Sequence, residues 1–393
     1  MTVKLYDEFP YETEFEADVI SCEKAGDGSY EVILDRTLFF PEEGGQTPDR
    51  GVLVFPDGAE YEAADVQLDS DGVIRHRVIS DNMTIFPGCK IKGRIDWQHR
   101  FSNMQNHTGE HIFSGIVHSR FGYNNVGFHL SDTEVLMDYD KSLGAVQIKE
   151  IEQAANKVIA RNVSVKCTYP SPEQLAKISY RSKKEIDGAI RIVEIEDCDI
   201  CACCAPHVRR TGEVGMLKVI STESWRGGTR VHILCGFRAL EEFNKLQQAC
   251  GIVSREYSVP VSAEAFSKAI ELRNENVLKL KRKNEELQRT LMEEKLSAVD
   301  TEKEDITLFA ENIDDIIKRD ILNELVKCRG GFCSIFDGND ERGYSFIIAS
   351  SKKNCNEKVK LLRENFGAKG GGKPVMVQGS VKAPRKLIEE CFQ

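Results

Sequence analysis

Four side chains in two distant segments have the types and spacing to share one metal ion. His107 and His111 form H-x-x-x-H within residues 100–119, and Cys203 and His207 form C-x-x-x-H far downstream. On a helix, a spacing of four stacks two side chains one turn apart on the same face. Three imidazoles and a thiolate are a borderline-soft donor set suited to zinc. Such a site could activate water or grip a small ligand. Each half alone is weak, because a histidine pair at this spacing serves equally well as surface or capping residues in a chain with 8 histidines. His118 falls on roughly the same helical face and is an alternative ligand. Cys198, Cys201 and Cys204 crowd the second segment, so a thiolate-only site competes with the mixed one. No second C-x-x-C lies elsewhere in the chain, which favours the mixed site. Glu110 directly precedes His111, so its side chain is expected on a different face and no role is assigned to it.

These residues need elements to hold them. Residues 30–34, 51–55, 72–78 and 88–95 read as short strands with Gly, Asp and Pro punctuation, which predicts a small N-terminal β-barrel over 1–95. The period then changes to 3.6 over 96–121, with Ile112, Phe113, Ile116 and Val117 recurring at helical spacing. Strand over 126–139, a second amphipathic helix over 146–163 and strands near 190–195, 214–220 and 231–234 follow. The C-x-x-x-H segment thus falls on a loop between strands, where ligands are commonly presented. The fold class is α+β, with an α+β core over 96–238. A helical tract spans 239–300 and carries Phe266, Ile270, Arg273, Val277, Leu280, Asn284, Leu287 and Leu291 at four-three spacing, a heptad seam that could join two chains. Residues 301–393 read as a small α/β domain, with residues 370–372 in a glycine loop.

Composition sets the outer bounds. A chain of 393 residues with 41% hydrophobic and 30% charged content has ample core for two or three domains. No run of eighteen apolar residues occurs, so no membrane span is expected. The N-terminus lacks a basic stretch followed by an apolar one, so the 13 cysteines read as reduced thiols of a cytoplasmic protein rather than a disulfide framework. Cys22, Cys89, Cys167, Cys235, Cys250, Cys328, Cys333, Cys355 and Cys391 read mainly as small buried hydrophobes. The formal charge of −10 argues against nucleic acid, yet residues 352–386 hold ten basic residues against Glu357 and Glu364, a net +8. A concentrated basic face of this kind suits a phosphate backbone. Lys369, Gly370, Gly371, Gly372, Lys373, Lys382 and Arg385 are its candidate contacts, because glycine backbone N–H groups can approach phosphate unshielded.

Three motifs in one order resemble a known family. FFPEEGGQTPDRG, then HTGEH, then CCAPHVRRTGEVG are similar to the editing domain of alanyl-tRNA synthetases, and more so to the free-standing alanyl-tRNA editing proteins called AlaX. NFGAKGGGKPVMVQGS resembles the glycine-rich signature of the synthetase's C-terminal, DHHA1-type domain, so the likeness is to the long class of AlaX. The resemblance implies one zinc per chain on His107, His111, Cys203 and His207, and hydrolysis of serine or glycine from mischarged tRNA(Ala). It places Asn125, Gly127 and His129 in the amino-acid pocket, as candidate catalytic residues, and Gly44, Gly45 and Gln46 in a motif closing that pocket. Synthetases usually carry C-G-G-T-H where this chain has Cys203-Cys204-Ala205-Pro206-His207. Pro206 stiffens that loop and leaves Cys204 as a substitute ligand for His207. The chain starts at the barrel, so adenylate formation is not expected. Implied partners are tRNA(Ala) and a second copy, met through the helical tract or C-terminal domain. Two other readings stay open: editing of the threonyl type, which shares the paired motifs, and an RNA-binding protein with a structural zinc.

Overall fold

The computed structural model describes residues 2–80, 86–182, 188–298 and 303–392. The chain divides into two compact units, Met1–Cys250 and Gly251–Gln393, and its class is mixed α+β.

In the first unit, six strands close into a barrel: β1 (Glu14–Lys24), β2 (Tyr30–Leu34), β3 (Gly51–Val54), β4 (Glu60–Leu68), β5 (Ile74–Ile79) and β6 (Lys90–Ile95), in the order β1-β2-β5-β4-β3-β6. Strict alternation of buried and exposed residues along β6 shows why these segments pair: one face fills the barrel and the other meets water. Asp-Gly dipeptides at Asp27-Gly28, Asp57-Gly58 and Asp71-Gly72 mark three of the turns, each glycine with positive φ. The strands β1 and β4 were not anticipated. Both carry several acidic residues, which dilute the apolar alternation.

The second half of this unit is built on α1 (Trp97–Phe121), capped by Asp96 accepting from the His99 N–H and ended by Gly122 at φ 67°. Its stretch from Asn103 to Val117 is buried throughout, so α1 runs through the core rather than along a surface. Around it lie β7 (Asn125–Leu130), β8 (Val135–Tyr139), α2 (Ala145–Arg161), β9 (Val165–Thr168), β10 (Ile192–Ile195), β11 (Asp199–Ala202), β12 (Leu217–Trp225) and β13 (Gly228–Cys235). They form a four-stranded sheet, β12-β13-β8-β7, and a three-stranded sheet, β9-β10-β11. A buried ion pair between Arg100 of α1 and Asp49 ties the barrel's glycine-rich segment to this core, and Asp49 also accepts from the Phe40 N–H at 2.6 Å. Both side chains are fully buried, so losing either partner strands a charge.

The helical tract expected as one stretch is two helices, α3 (Gly236–Tyr257) and α4 (Ala263–Ser297). Ser258 at φ 53° and Pro260 break it, and Ser262 restarts it by accepting from the Ala265 N–H at 3.1 Å. Val299 and the end of the expected tract lie outside the described residues. The boundary between the two units falls within α3.

The second unit carries a five-stranded sheet with α5 (Asp315–Cys328), α6 (Asn356–Phe366) and α7 (Arg385–Glu390). Its strands are β14 (Ile306–Ala310), β15 (Cys333–Asn339), β16 (Gly343–Ala349), β17 (Lys369–Lys373) and β18 (Met376–Val381), in the order β14-β15-β16-β18-β17. Most of α4 is exposed; Met292 alone among its described residues is buried, within the core of this unit. Among the described residues no helix is long and apolar enough to cross a membrane.

Candidate metal centre

The α1 helix stacks His107 and His111 with ring centroids 5.4 Å apart. Along β11 and just beyond it, Asp199, Cys201 and Cys203 alternate toward the same side. The chain then turns through Ala205 and Pro206 to present His207. The Cys203 Sγ lies 3.5 Å from His107 Nε2 and 3.4 Å from His207 Nε2. One donor atom from each of His107, His111, Cys203 and His207 falls within 4.8 Å of every other. In a tetrahedron with bonds of about 2.0–2.3 Å, a sulfur-to-nitrogen edge is about 3.5 Å. The two measured edges match it. His111 Nε2 is buried without a hydrogen-bond partner and lies among the other three donors.

Each ring is held from behind. His107 Nδ1 lies 2.7 Å from Gln46 Oε1, His111 Nδ1 lies 3.0 Å from Asp199 Oδ2 and His207 Nδ1 lies 3.0 Å from Thr108 Oγ1. The Gln46 carbonyl and the Asp199 carboxylate only accept, so Nδ1 carries the proton in both rings and Nε2 is left to face the centre. Asp199 in turn receives a guanidinium fork from Arg181, at 2.7 and 2.8 Å. Burial opposes ionisation of the Cys203 thiol, but the neighbouring His107 and His207 imidazoles hold it well below the usual thiol range. Burial pushes His207 down to about 3. Burial acts the same way on His111, yet Asp199 and Cys203 outweigh it and raise that ring to about 9. The Cys203 thiolate and the neutral His207 ring are the forms a metal ion requires, whereas the His111 ring gives up its Nε2 proton when it binds one.

The glycine-rich segment approaches this cluster closely. Gly44 and Gly45 have φ of 64° and 84°. A Cβ on Gly45 would stand 2.5 Å from the Phe128 carbonyl oxygen. This tight turn is pinned to β7, with the Leu130 N–H donating to Gly45 O at 2.7 Å and the Thr47 N–H to Leu130 O at 3.1 Å. Gln46 therefore reaches His107.

The three candidate pocket residues on β7 separate. Uninterrupted alternation would put Asn125, Gly127 and His129 on one face. A bulge instead leaves Val126 unpaired, with Tyr139 opposite Asn125 and Asp138 opposite Gly127. Asn125 consequently turns inward, where its Nδ2 donates to Glu110 Oε1 at 2.7 Å and Ser114 Oγ at 3.1 Å. Gly127 packs against Asp138 on the opposite face, and His129 is exposed. Phe128, not singled out from the sequence, faces inward with its ring centroid 4.7 Å from that of His107. Glu110 also departs from expectation: it is buried, with Oε2 3.9 Å from His111 Nε2.

The alternative ligands fall elsewhere. His118 is exposed and bonds the Tyr123 carbonyl region at 3.4 Å. Cys204 packs against the barrel core, and Cys198 donates to Ile112 O at 3.7 Å. Cys201 joins His111 and Asp199 in a second compact triad, but Asp199 there is already bonded to Arg181 and His111. A polar cavity of about 660 Å³ is lined among others by Gly115, Asn125, Tyr180, Arg181 and Asp199; it meets the cluster's supports rather than its four donors. Sequence reasoning missed Thr108, Asp199 and Arg181 as supports. The alternation of Asp199 with Cys201 and Cys203 could have signalled the second; nothing local signals Arg181.

In the second unit, Gly370, Gly371 and Gly372 are not a loop. With Lys369 and Lys373 they form β17 at the sheet edge, in register Lys369 to Ser380 and Lys373 to Met376. Side chains on Gly370 and Gly372 would run into the β18 backbone at 2.4 and 2.5 Å, while Gly371 has open space. Lys369 and Lys373 are exposed. Lys382 is exposed, and Arg385 pairs with Glu389 at 2.6 Å.

Residues 190–231 match the family model described as the threonyl and alanyl tRNA synthetase second additional domain, and residues 5–99 match that of the class II (A) tRNA synthetases. The chain is 28% identical to the alanyl-tRNA editing protein AlaX-L of Pyrococcus horikoshii, over 100% of this chain and 98% of that one. It is 31% identical to the alanine–tRNA ligase of Ignicoccus hospitalis and 32% to that of Pyrococcus abyssi, in both cases over 99% of this chain. It spans only 42% and 43% of those ligases. Among solved structures, the C-Ala domain of Aquifex aeolicus alanyl-tRNA synthetase aligns with 22% of this chain and 89% of that one, at 21% identity and a TM-score of 0.20.

Proposed function

Because the chain belongs to the alanyl-tRNA editing protein family, we propose that it is a hydrolase that removes a wrong amino acid from tRNA(Ala) in trans. Serine is the first expected cargo and glycine the second. The observation that carries this reading is the convergence of His107, His111, Cys203 and His207, with His111 Nε2 buried among the other donors. The donor set suits one zinc ion per chain. Zinc there would supply Lewis acidity to the ester carbonyl or to water. The chain's own residues do the rest. Gln46, Asp199 and Thr108 fix the three rings. Asn125, its amide held by Glu110, Ser114 and the Gly127 N–H, shapes part of the wall of the neighbouring cavity, which suits the esterified end of the tRNA. A synthetase pocket cannot strongly reject an isostere that adds a hydroxyl, so a separate hydrolytic site is physically needed.

In the same reading, Lys369 and Lys373 on β17, with Lys382, contact the tRNA backbone through charge and shape rather than bases. The exposed α4 seam joins a second copy, and the protein works in the cytoplasm, where charged tRNA is found.

A second reading has one observation in its favour: four protein donors fill a tetrahedral shell, as in structural sites. The His107→Ala, His111→Ala double variant separates the two. A structural metal would cost folding, read as lost far-UV dichroism. On the reading proposed here, the variant stays folded and no longer releases serine from Ser-tRNA(Ala). A folded variant with undiminished release would sink it.

A further inference from the structure

We propose that Arg181 is a positioning residue of the metal centre, acting through Asp199 to hold the His111 ring with Nε2 facing the ion. The proposal rests on reading the cluster as a metal site. The Arg181 Nε donates to Asp199 Oδ1 at 2.7 Å and its Nη2 to Oδ2 at 2.8 Å. The same Oδ2 accepts from His111 Nδ1 at 3.0 Å. The side chains of Asp199 and His111 are 2% and 1% exposed and that of Arg181 12%, so water competes little for any of these bonds.

The fork does something a single bond cannot. A carboxylate held at one point can swivel about its side-chain torsions, and the imidazole it carries swivels with it. Two parallel N–H···O bonds fix the carboxylate plane. The guanidinium also offsets a buried negative charge that would otherwise be costly at this depth. The backbone of Arg181 is itself fixed beside β11, with its N–H donating to Ile200 O at 2.8 Å and its carbonyl accepting from the Ala202 N–H at 2.9 Å. His107 and His207 rest on the neutral Gln46 and Thr108, so His111 is the ring in this cluster with ionic support behind it. Arg181 contributes no donor to the cluster, and its replacement leaves all four donors in place.

The test measures zinc affinity of the full chain by competition with a chromophoric chelator, without reference to activity. Arg181→Gln and Asp199→Asn should each bind zinc about 10–100-fold more weakly than the unaltered chain. Because Arg181 acts through Asp199, the double variant should be no weaker than Asp199→Asn alone. Thermal unfolding of the metal-stripped proteins supplies the structural control. A residue that only ties residues 179–182 to β11 would lower that midpoint and leave zinc affinity unchanged, and this overturns the proposal. So does a double variant whose losses add. Should Arg181→Gln fail to fold, Arg181→Lys, which keeps the charge and loses the fork, must still bind zinc several-fold more weakly; equal affinity overturns the proposal. An unaltered chain that takes up no zinc overturns the metal reading and this proposal together. An unaltered chain that binds zinc no better than Arg181→Gln overturns the proposal alone.

Discussion

Gln46 and Gly45 carry the site as much as any ligand does. Gln46 Oε1 meets His107 Nδ1 at 2.7 Å, and it can do so only because the chain turns tightly through two glycines at positive φ. Gly45→Val places a Cβ 2.5 Å from the Phe128 carbonyl oxygen in a backbone region that valine avoids. We expect a loss of roughly 1–3 kcal/mol in urea unfolding. Zinc affinity should fall as well, though no ligand is touched, because Gln46 moves with the turn. A variant that is destabilised but keeps full zinc affinity would show that Gln46 does not orient His107. The four candidate donors and their spacings were legible in the sequence, and the fold brings them together. Their supports were not, since Gln46 and Asp199 meet the rings through contacts that cross 61 and 88 positions in the chain, and Arg181 meets Asp199 across 18.

Elements decide which way those side chains point. The period change at α1 and most barrel strands could be read from alternation and Asp-Gly turns. The bulge at Val126 could not, and it divides three residues that simple alternation would group. The glycine run 370–372 gave the opposite error. Turn chemistry suggested a loop, whereas close approach to β18 makes glycine the residue an edge strand there requires. Pro260 was visible, but the heptad seam beyond it obscured the break between α3 and α4. The barrel also contains a group with a pH signature. His76 is fully buried between Thr37 Oγ1, at 2.8 Å, and Val32 O, at 3.0 Å, and burial pushes its imidazole down to about 4. Above about pH 6.5 the ring is neutral in both states and its burial carries no proton penalty. As pH falls from there to 4, the unfolded chain takes up a proton that the folded one refuses, and stability drops by about 3 kcal/mol in all. Unfolding free energy of the intact protein should therefore fall more steeply across that window than in His76→Gln. Parallel slopes would remove His76 as the cause.

At the scale of the molecule, the two units have separate cores. Two apolar clusters lie wholly within the first unit and two wholly within the second, so each can fold around its own interior. A chain ending at Cys250 should keep the metal centre and lose tRNA affinity together with part of its salt dependence. It should also sediment as a monomer, while the full chain, with Ile270, Val277, Leu280, Leu287 and Leu291 exposed along α4, should sediment as a dimer. Equal tRNA affinity and equal salt slope in the short form would remove the basic edge from the account. The claim beneath all of these is that two segments brought together by the fold hold an ion that hydrolysis depends on. It is tested most directly by timing serine release from Ser-tRNA(Ala) with the full chain as zinc-loaded, stripped and reloaded protein. Stripping should slow release by more than about 100-fold, and zinc should restore it, with Ala-tRNA(Ala) left intact throughout. Release at the same rate from folded, metal-free protein would contradict the account.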